Sequence, residues 1–328
     1  MNIVGLSRSA LGMSLAVAML AGCGLAQTVG PGIMPQGAAP AGIAAHGNSW
    51  MLPEAKGEDL LYVSSVGTNE VYVFSYPQGK KVGTLANFDD PTGECVDKAG
   101  DVWIVNDGTA QVFEFSHGGT NPIATLSVPG SYPFGCAIDP ATGNLAVTNG
   151  QDNVSIYANA QGTPTTYTDG NIYTDLFYCT YDNQSNLFVT ASYYFSTVHL
   201  DELPNVSSNF RTISLNQGIR FASGIQWDGQ YLAYGGVPAY HGQPVSIYQV
   251  QVSGSQGTVV GTTQLFSRYE KPDSAQFWLQ GNTVIQPSDS SKQVGLWKYP
   301  AGGNPYKLVK HLGGRFLYLY GTAVSLAK

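Results

Sequence analysis

Six short valine-led stretches recur along the chain: Val71-Tyr-Val-Phe, Val112-Phe-Glu-Phe, Val154-Ser-Ile-Tyr, Val198-His-Leu, Val245-Ser-Ile-Tyr and Val294-Gly-Leu-Trp. Counted from each valine to the next, the intervals are 41, 42, 44, 47 and 49 residues. Ahead of the later copies stands a turn and another β-rich stretch, as in Asp97-Lys-Ala-Gly-Asp-Val-Trp-Ile-Val, Asp139-Pro-Ala-Thr-Gly-Asn-Leu-Ala-Val and Asp182-Asn-Gln-Ser-Asn-Leu-Phe-Val. Trp227-Asp-Gly-Gln-Tyr-Leu-Ala-Tyr and Leu279-Gln-Gly-Asn-Thr-Val-Ile are weaker copies, and Leu60-Leu-Tyr-Val fills the same slot without its turn. Apolar residues spaced by three and four, which a helical repeat would need, are missing. Six copies of a unit of about four short strands predict an all-β chain folded as a six-bladed β-propeller.

The two ends of the chain predict how the ring closes. A further strand precedes each turn: Gly93-Glu-Cys-Val-Asp, Gly135-Cys-Ala-Ile-Asp, Tyr178-Cys-Thr-Tyr-Asp and Gly224-Ile-Gln-Trp-Asp. The first copy lacks one, and the C-terminus has one to spare in Gly321-Thr-Ala-Val-Ser-Leu. Pairing this C-terminal inner strand with Leu60–Val63 in the N-terminal blade would leave no open sheet edge. Residues 58–328 therefore read as one propeller domain.

The N-terminus reads as an address. Arg8 precedes an apolar run, Ala10 to Leu20, too short to span a bilayer. The run ends in Leu20-Ala-Gly-Cys23, which resembles the bacterial lipobox, so residues 1–22 are expected to be a signal peptide and Cys23 the lipidated residue. Gly24 stands where an aspartate often retains such proteins at the inner membrane, which favours the outer membrane of the envelope. More than one acyl chain anchors a soluble body stably. Residues 23–57, rich in Gly, Ala and Pro, then form a tether. Removing Arg8 takes the formal charge from −7 to −8, and no basic run remains to neutralise phosphates, which excludes nucleic acid as a partner.

The Asp-x-x-x-Gly-Asn-Leu-x-Val unit with its following Val-x-Val-Phe strand resembles the NHL/YVTN class of bacterial propellers. Asp59-Leu-Leu-Tyr-Val-Ser and Gly135-Cys-Ala-Ile-Asp-Pro-Ala-Thr-Gly-Asn-Leu-Ala-Val-Thr-Asn are similar to a group of bacterial propeller lipoproteins. The resemblance covers nearly the whole mature chain and implies architecture, not activity, since propellers serve many functions.

The aspartates Asp97, Asp139, Asp182 and Asp228 sit where turns begin and are expected to cap backbone N–H groups. Cys136 and Cys179 occupy equivalent positions and Cys95 is offset by one, so it should face differently. Packing as small buried residues and a disulfide between two of the three both fit an oxidising compartment. Five histidines show no pairing, and neither a zinc motif nor a nucleophile elbow occurs.

Three of the four arginines of the mature chain, Arg220, Arg268 and Arg315, fall in the loops leading into consecutive inner strands, each followed by an aromatic residue (Phe221, Tyr269, Phe316). The opposite half of that channel mouth carries Asp89, Asp90 and Glu94, then Tyr132, Phe134, Tyr173 and Asp175. Arginine forks suit carboxylate or phosphate and aromatic rings suit a sugar face. The expectation is a membrane-anchored binding module whose mouth takes a small anionic or saccharide-like ligand through Arg220, Arg268, Arg315, Tyr269, Tyr132, Phe134 and Glu94. The partner is a small molecule, a glycan or a protein. Bracing of the loops by ion pairs with Glu270, Asp175 or Asp89 is the competing account. The alternative function is a metal-dependent, lactonase-like hydrolase or lyase with Ca²⁺ in the channel on Glu94, Asn106 and Asn149. The set is permissible for calcium, although Thr190 and Gly235 at the later equivalent positions are poor ligands.

Overall fold

The computed structural model describes residues 47–130, 132–151, 153–170, 175–193, 197–205, 207–220, 223–238, 244–266, 275–288, 291–310, 312 and 318–328. Among these the chain has no α-helix, only strands and three short 3-10 turns. The strands form five sheets. The first contains Leu60–Ser65, Glu70–Ser75 and Lys81–Leu85, the second runs from Pro91–Val96 to Pro122–Ser127, the third from Pro133–Ile138 to Thr165–Thr168, and the last from Trp278–Gln280 to Lys307–Val309.

Between the third and last sheets lies a nine-stranded sheet made of two antiparallel stacks. One stack runs from Asp175–Tyr181 to Arg211–Leu215, the other from Ile219–Arg220 and Ile225–Trp227 to Gln256–Leu265. They are joined at their outer strands, where Ser214 lies opposite Gln256 and Leu215 opposite Gly257 in parallel. The hairpin of Val245–Ser253 and Gln256–Leu265 is long enough to reach this contact.

Strand Leu319–Ser325 joins the first sheet, with Leu60 opposite Ser325, Leu61 opposite Val324, Tyr62 opposite Ala323 and Val63 opposite Thr322. The C-terminus thus supplies the strand that the N-terminus lacks. Ser325 fastens it, its Oγ 2.6 Å from His117 Nδ1 and donating to Gly100 O at 2.5 Å. At its other margin the first sheet gains Trp50–Met51, paired with Thr84 and Gly83. Ala55, in the 3-10 turn Pro53–Gly57, is buried in the core. The folded body therefore begins ahead of the boundary expected at residue 58. Glycine- and proline-rich surroundings hid so short a strand.

The innermost strands of successive sheets touch around an axis. A Cβ added at Gly93 would lie 2.6 Å from Phe134 O and 2.8 Å from Gly135 Cα, and Gly135 in turn abuts Phe177 and Tyr178. Only glycine allows backbones to approach this closely. Trp227 N donates to Thr180 Oγ1 (3.0 Å), Leu279 N to Gln226 Oε1 (2.6 Å), and Gln276 N to Tyr320 O (2.8 Å), which returns the series to the closing strand. This ring of sheets is a β-propeller.

Neighbouring sheets pack front to back, and the core lies between them. Cys95, Trp103 and Val105 of the second sheet meet Cys136, Leu145 and Val147 of the third. Cys95 and Cys136 form a disulfide there, with Cα atoms 5.7 Å apart. The offset of Cys95 that made it face differently brings the two thiols together, because opposite faces of adjacent sheets are in contact. Cys179 stays reduced and buried against Ala137 and Ala146 in the next interface, and burial pushes its thiol pKa up.

Candidate functional site

The loops at the mouth are built alike in the first three sheets. Tyr318, Asp90 and Tyr132, each just ahead of an inner strand, adopt left-handed φ of 44°, 55° and 63°. Each carbonyl accepts an N–H from just beyond the second strand of its own sheet: Val66 N to Tyr318 O (3.1 Å), Asp107 N to Asp90 O (3.0 Å) and Gly150 N to Tyr132 O (2.8 Å). The arrangement holds two bulky residues in a backbone region they rarely occupy. Tyr132 is 62% exposed and Tyr318 48%.

Beneath them the channel is filled. Phe134 makes edge contacts with Phe177, Tyr178 and Tyr320 at centroid distances of 5.1, 5.2 and 5.6 Å. Tyr178 donates its hydroxyl to Tyr320 O (3.0 Å). Gln276 reaches the second sheet, its Oε1 accepting Glu94 N (2.9 Å) and its Nε2 donating to Glu94 O (2.7 Å). Among the described residues, these aromatic and amide side chains fill the axis beneath the mouth.

Asp89, Asp90 and Asp107 crowd one side of it. Burial, then the charges of Asp90 and Asp89, push Asp107 up to about 6. Burial followed by Asp89 raises Asp90, and burial raises Asp175. Arg220 lies half-buried on the short strand Ile219–Arg220, opposite Val237. Arg268, Arg315 and Tyr269 lie outside the described residues, as do Cys23 and the signal segment.

Glu94 is buried completely, and its side chain packs against Gly321 of the closing strand. Neither carboxylate oxygen has a hydrogen-bond partner of good geometry, and burial raises its pKa well above 4.5 despite the nearby Ala323 N–H. Asn106 accepts Asp89 N (2.8 Å) and donates to Thr109 Oγ1 (2.6 Å). Asn149 donates to Asn153 Oδ1 (2.8 Å), and its own oxygen is buried without a partner. These are the three residues weighed for calcium.

Glu94 gives a test of its own. A carboxyl with a raised folded pKa keeps its proton where the unfolded chain has lost one. Its stability contribution is therefore complete below the unfolded value near 4.5 and is lost as pH rises toward the folded value. Glu94→Met, similar in length and apolar, should raise stability at pH 7.5, because it removes a buried carboxyl whose oxygens have no hydrogen-bond partner. The gain should be smaller at pH 4, where only the cost of an unmet neutral carboxyl remains. Equal gains at both pH values in denaturant titrations would contradict the burial argument.

The four turn aspartates cap as expected. Asp139 takes Ala141 N (2.9 Å), Asp182 takes Gln184 N and Asn186 N (2.8 and 2.9 Å), Asp97 takes Asp101 N (2.9 Å), and Asp228 takes Gln230 N and Tyr231 N (2.9 and 2.7 Å). On the turn side, carboxylate oxygens of Asp97, Asp101 and Glu114 lie within 4.8 Å of one another. Burial, then Asp101 and Asp97, push Glu114 up to about 6. Sequence reasoning passed over this group because Glu114 belongs to a strand and Asp97 to a turn.

Sequence reasoning also passed over a cavity of ≈ 450 Å³ at the turn-side end of the axis, lined by Tyr181, Trp227, Phe277 and Trp278 among others. The residue just before the turn aspartate, as in Tyr181-Asp182 and Trp227-Asp228, was the available signal.

No protein-family model matches the chain, and no curated protein matches it either. Solved structures do. A chain of a nidogen/laminin complex aligns with a TM-score of 0.64 at 12% identity, covering 82% of this chain and 99% of that one. A hydrazine synthase chain from Kuenenia stuttgartiensis aligns with a TM-score of 0.52 at 12% identity, covering 80% of each. At such identity the likeness shows the β-propeller fold alone.

Proposed function

We propose that the chain is a six-bladed propeller, exported and anchored through Cys23, that serves as a non-catalytic binding module. The count of six takes the two stacks of the nine-stranded sheet as separate blades, each with its own inner strand at the axis. The NHL/YVTN resemblance fits that count. Export is supported by the Cys95–Cys136 bond, since disulfides persist in oxidising compartments.

The observation that carries the binding reading is the mouth itself. Its loops hold Tyr132 and Tyr318 outward from strained backbone, over a channel that Phe134 closes. Strain of this kind persists where the surrounding structure enforces it, and it gathers at binding surfaces. The ligand is a small anionic or saccharide-like molecule, with Arg220, Arg268 and Arg315 as donors and Tyr269, Tyr132 and Phe134 as ring surfaces. The acids on the other side orient it. Catalysis is not part of the reading: the Ser325–His117 contact is made by a fully buried serine that no substrate can reach.

The test is a thermal-shift screen of the full chain against organic acids, phosphates and sugars, because a ligand of the native state raises the melting temperature. Arg220→Ala and Tyr132→Ala should each raise the half-saturating ligand concentration about tenfold. A response that survives both substitutions would remove the mouth as the site. Calcium or a chelator should leave the melting temperature unchanged. A rise of several degrees with about 1 mM calcium would favour the metal-dependent hydrolase instead.

A further inference from the structure

His117 stands in the turn Ser116–Gly119, which joins Gln111–Phe115 to Pro122–Ser127 in the second sheet. From there it meets both strands whose pairing closes the ring. Its Nδ1 lies 2.6 Å from Ser325 Oγ of the closing strand, and its Nε2 lies 3.1 Å from Glu58 O, just ahead of Leu60–Ser65. The backbone of the turn is held as well: His117 N donates to Asp101 Oδ1 (3.3 Å) and Gly118 N to the Tyr62 hydroxyl (3.0 Å). The ring is fixed in place yet only half-buried, so a proton can reach it from water.

Hydrogen-bond chemistry fixes where the protons are. A carbonyl oxygen only accepts, so Nε2 carries a proton for Glu58 O. Ser325 Oγ has one proton and gives it to Gly100 O at 2.5 Å. The hydroxyl then has only lone pairs to offer His117, so Nδ1 carries a proton too. Both ring nitrogens donate at once only in the imidazolium ion. A neutral ring must give up one contact. Either Glu58 O goes without its donor, or Ser325 turns its proton to Nδ1 and Gly100 O goes without. Ser325 and Gly100 are buried, which keeps water from replacing the lost partner.

Acids outnumber bases around the ring. Asp101 belongs to its own sheet, with Asp97 and Glu114 close behind. Glu58 and Asp59 stand on the approach to the N-terminal strand, Asp59 Oδ1 accepting Ala327 N (2.9 Å). The lysines nearby are exposed: Lys56 packs against Gly118, and Lys328 donates to Lys98 O (2.6 Å).

We propose that His117 is a proton-operated latch on the ring seam, clasping Ser325 and Glu58 together as the imidazolium ion and releasing one of them when it loses a proton. Contacts that only a charged imidazole can make stabilise fully below about pH 6.5, where the free ring is charged, and are lost as pH rises. Acidic conditions tighten the closing strand and alkaline conditions loosen it.

The test is amide exchange of the full chain from about pH 5.5 to about pH 8.5, each rate divided by the intrinsic chemical rate at that pH. Protection of Leu319–Ser325 should fall over this range about tenfold further in the wild type than in His117→Gln, the loss of one hydrogen bond to a buried carbonyl. Glu94 packs against the same strand at Gly321 and is unchanged in the variant, so its own titration cancels in the comparison. Ser325→Ala leaves every acid in place but frees Nδ1 from donating, so a neutral ring suffices and the extra pH dependence should vanish. This variant carries the reading if His117→Gln does not fold. His199→Gln, on another sheet, should behave as the wild type does. The proposal is overturned if the wild type and His117→Gln lose protection equally, or if Ser325→Ala keeps the wild-type pH dependence.

Discussion

A chain lacking Leu319–Lys328 is expected to lose its cooperative thermal transition altogether. The closing strand buries Leu319, Thr322, Ala323, Val324 and Ser325, and it is the partner of the whole of Leu60–Val63. Without it that strand becomes an unpaired apolar edge, and the seam between the first and last sheets opens to water. The His117 and Gly100 contacts of Ser325 go as well. Calorimetry of the shortened chain should show either no peak or aggregation on heating. A transition within about 3 °C of the full chain would mean that closure contributes little. Ser325→Ala is the mild form of the same test, expected to cost about 1–2 kcal/mol through the buried partners it leaves unsatisfied.

The second large effect should come from the Cys95–Cys136 bond. It spans a sequence separation of 41, and loop-closure entropy for that length gives about 4 kcal/mol. In a domain of this size the loss should lower the melting temperature by about 10 °C. Cys95→Ser and a reductant should act alike, and the reductant should do nothing further to the variant. Cys179→Ala must respond to reductant as the wild type does, since Cys179 is outside the bond. If reductant lowers the melting temperature of Cys95→Ser as much as that of the wild type, the effect belongs elsewhere.

These two features differ in how far the sequence revealed them. The closing strand was legible because repetition has bookkeeping: one missing inner strand at the start and one extra at the end. The turn aspartates were legible because their chemistry is local. The disulfide was only half legible. Its thiols lie in neighbouring repeats at positions of opposite facing, and no single repeat tells which face meets which. The union of two stacks into one nine-stranded sheet left a trace in the 49-residue interval from Val245 to Val294, which contains the long hairpin, but spacing does not say where a hairpin goes. Glu94 and Phe134 read as mouth residues because they border the inner strands. Which way a side chain leaves a strand, toward the axis or into the seam, depends on the bulges that shift register between Pro91 and Glu94 and between Val147 and Asn149.

The parallel contact of Arg211–Leu215 with Gln256–Leu265 has a mechanical consequence. Here the two stacks of the nine-stranded sheet are stitched at the perimeter, so a fluctuation that lifts one must lift the other. Amide exchange should find them opening as a single foldon, with the ring parting first along one of its other seams.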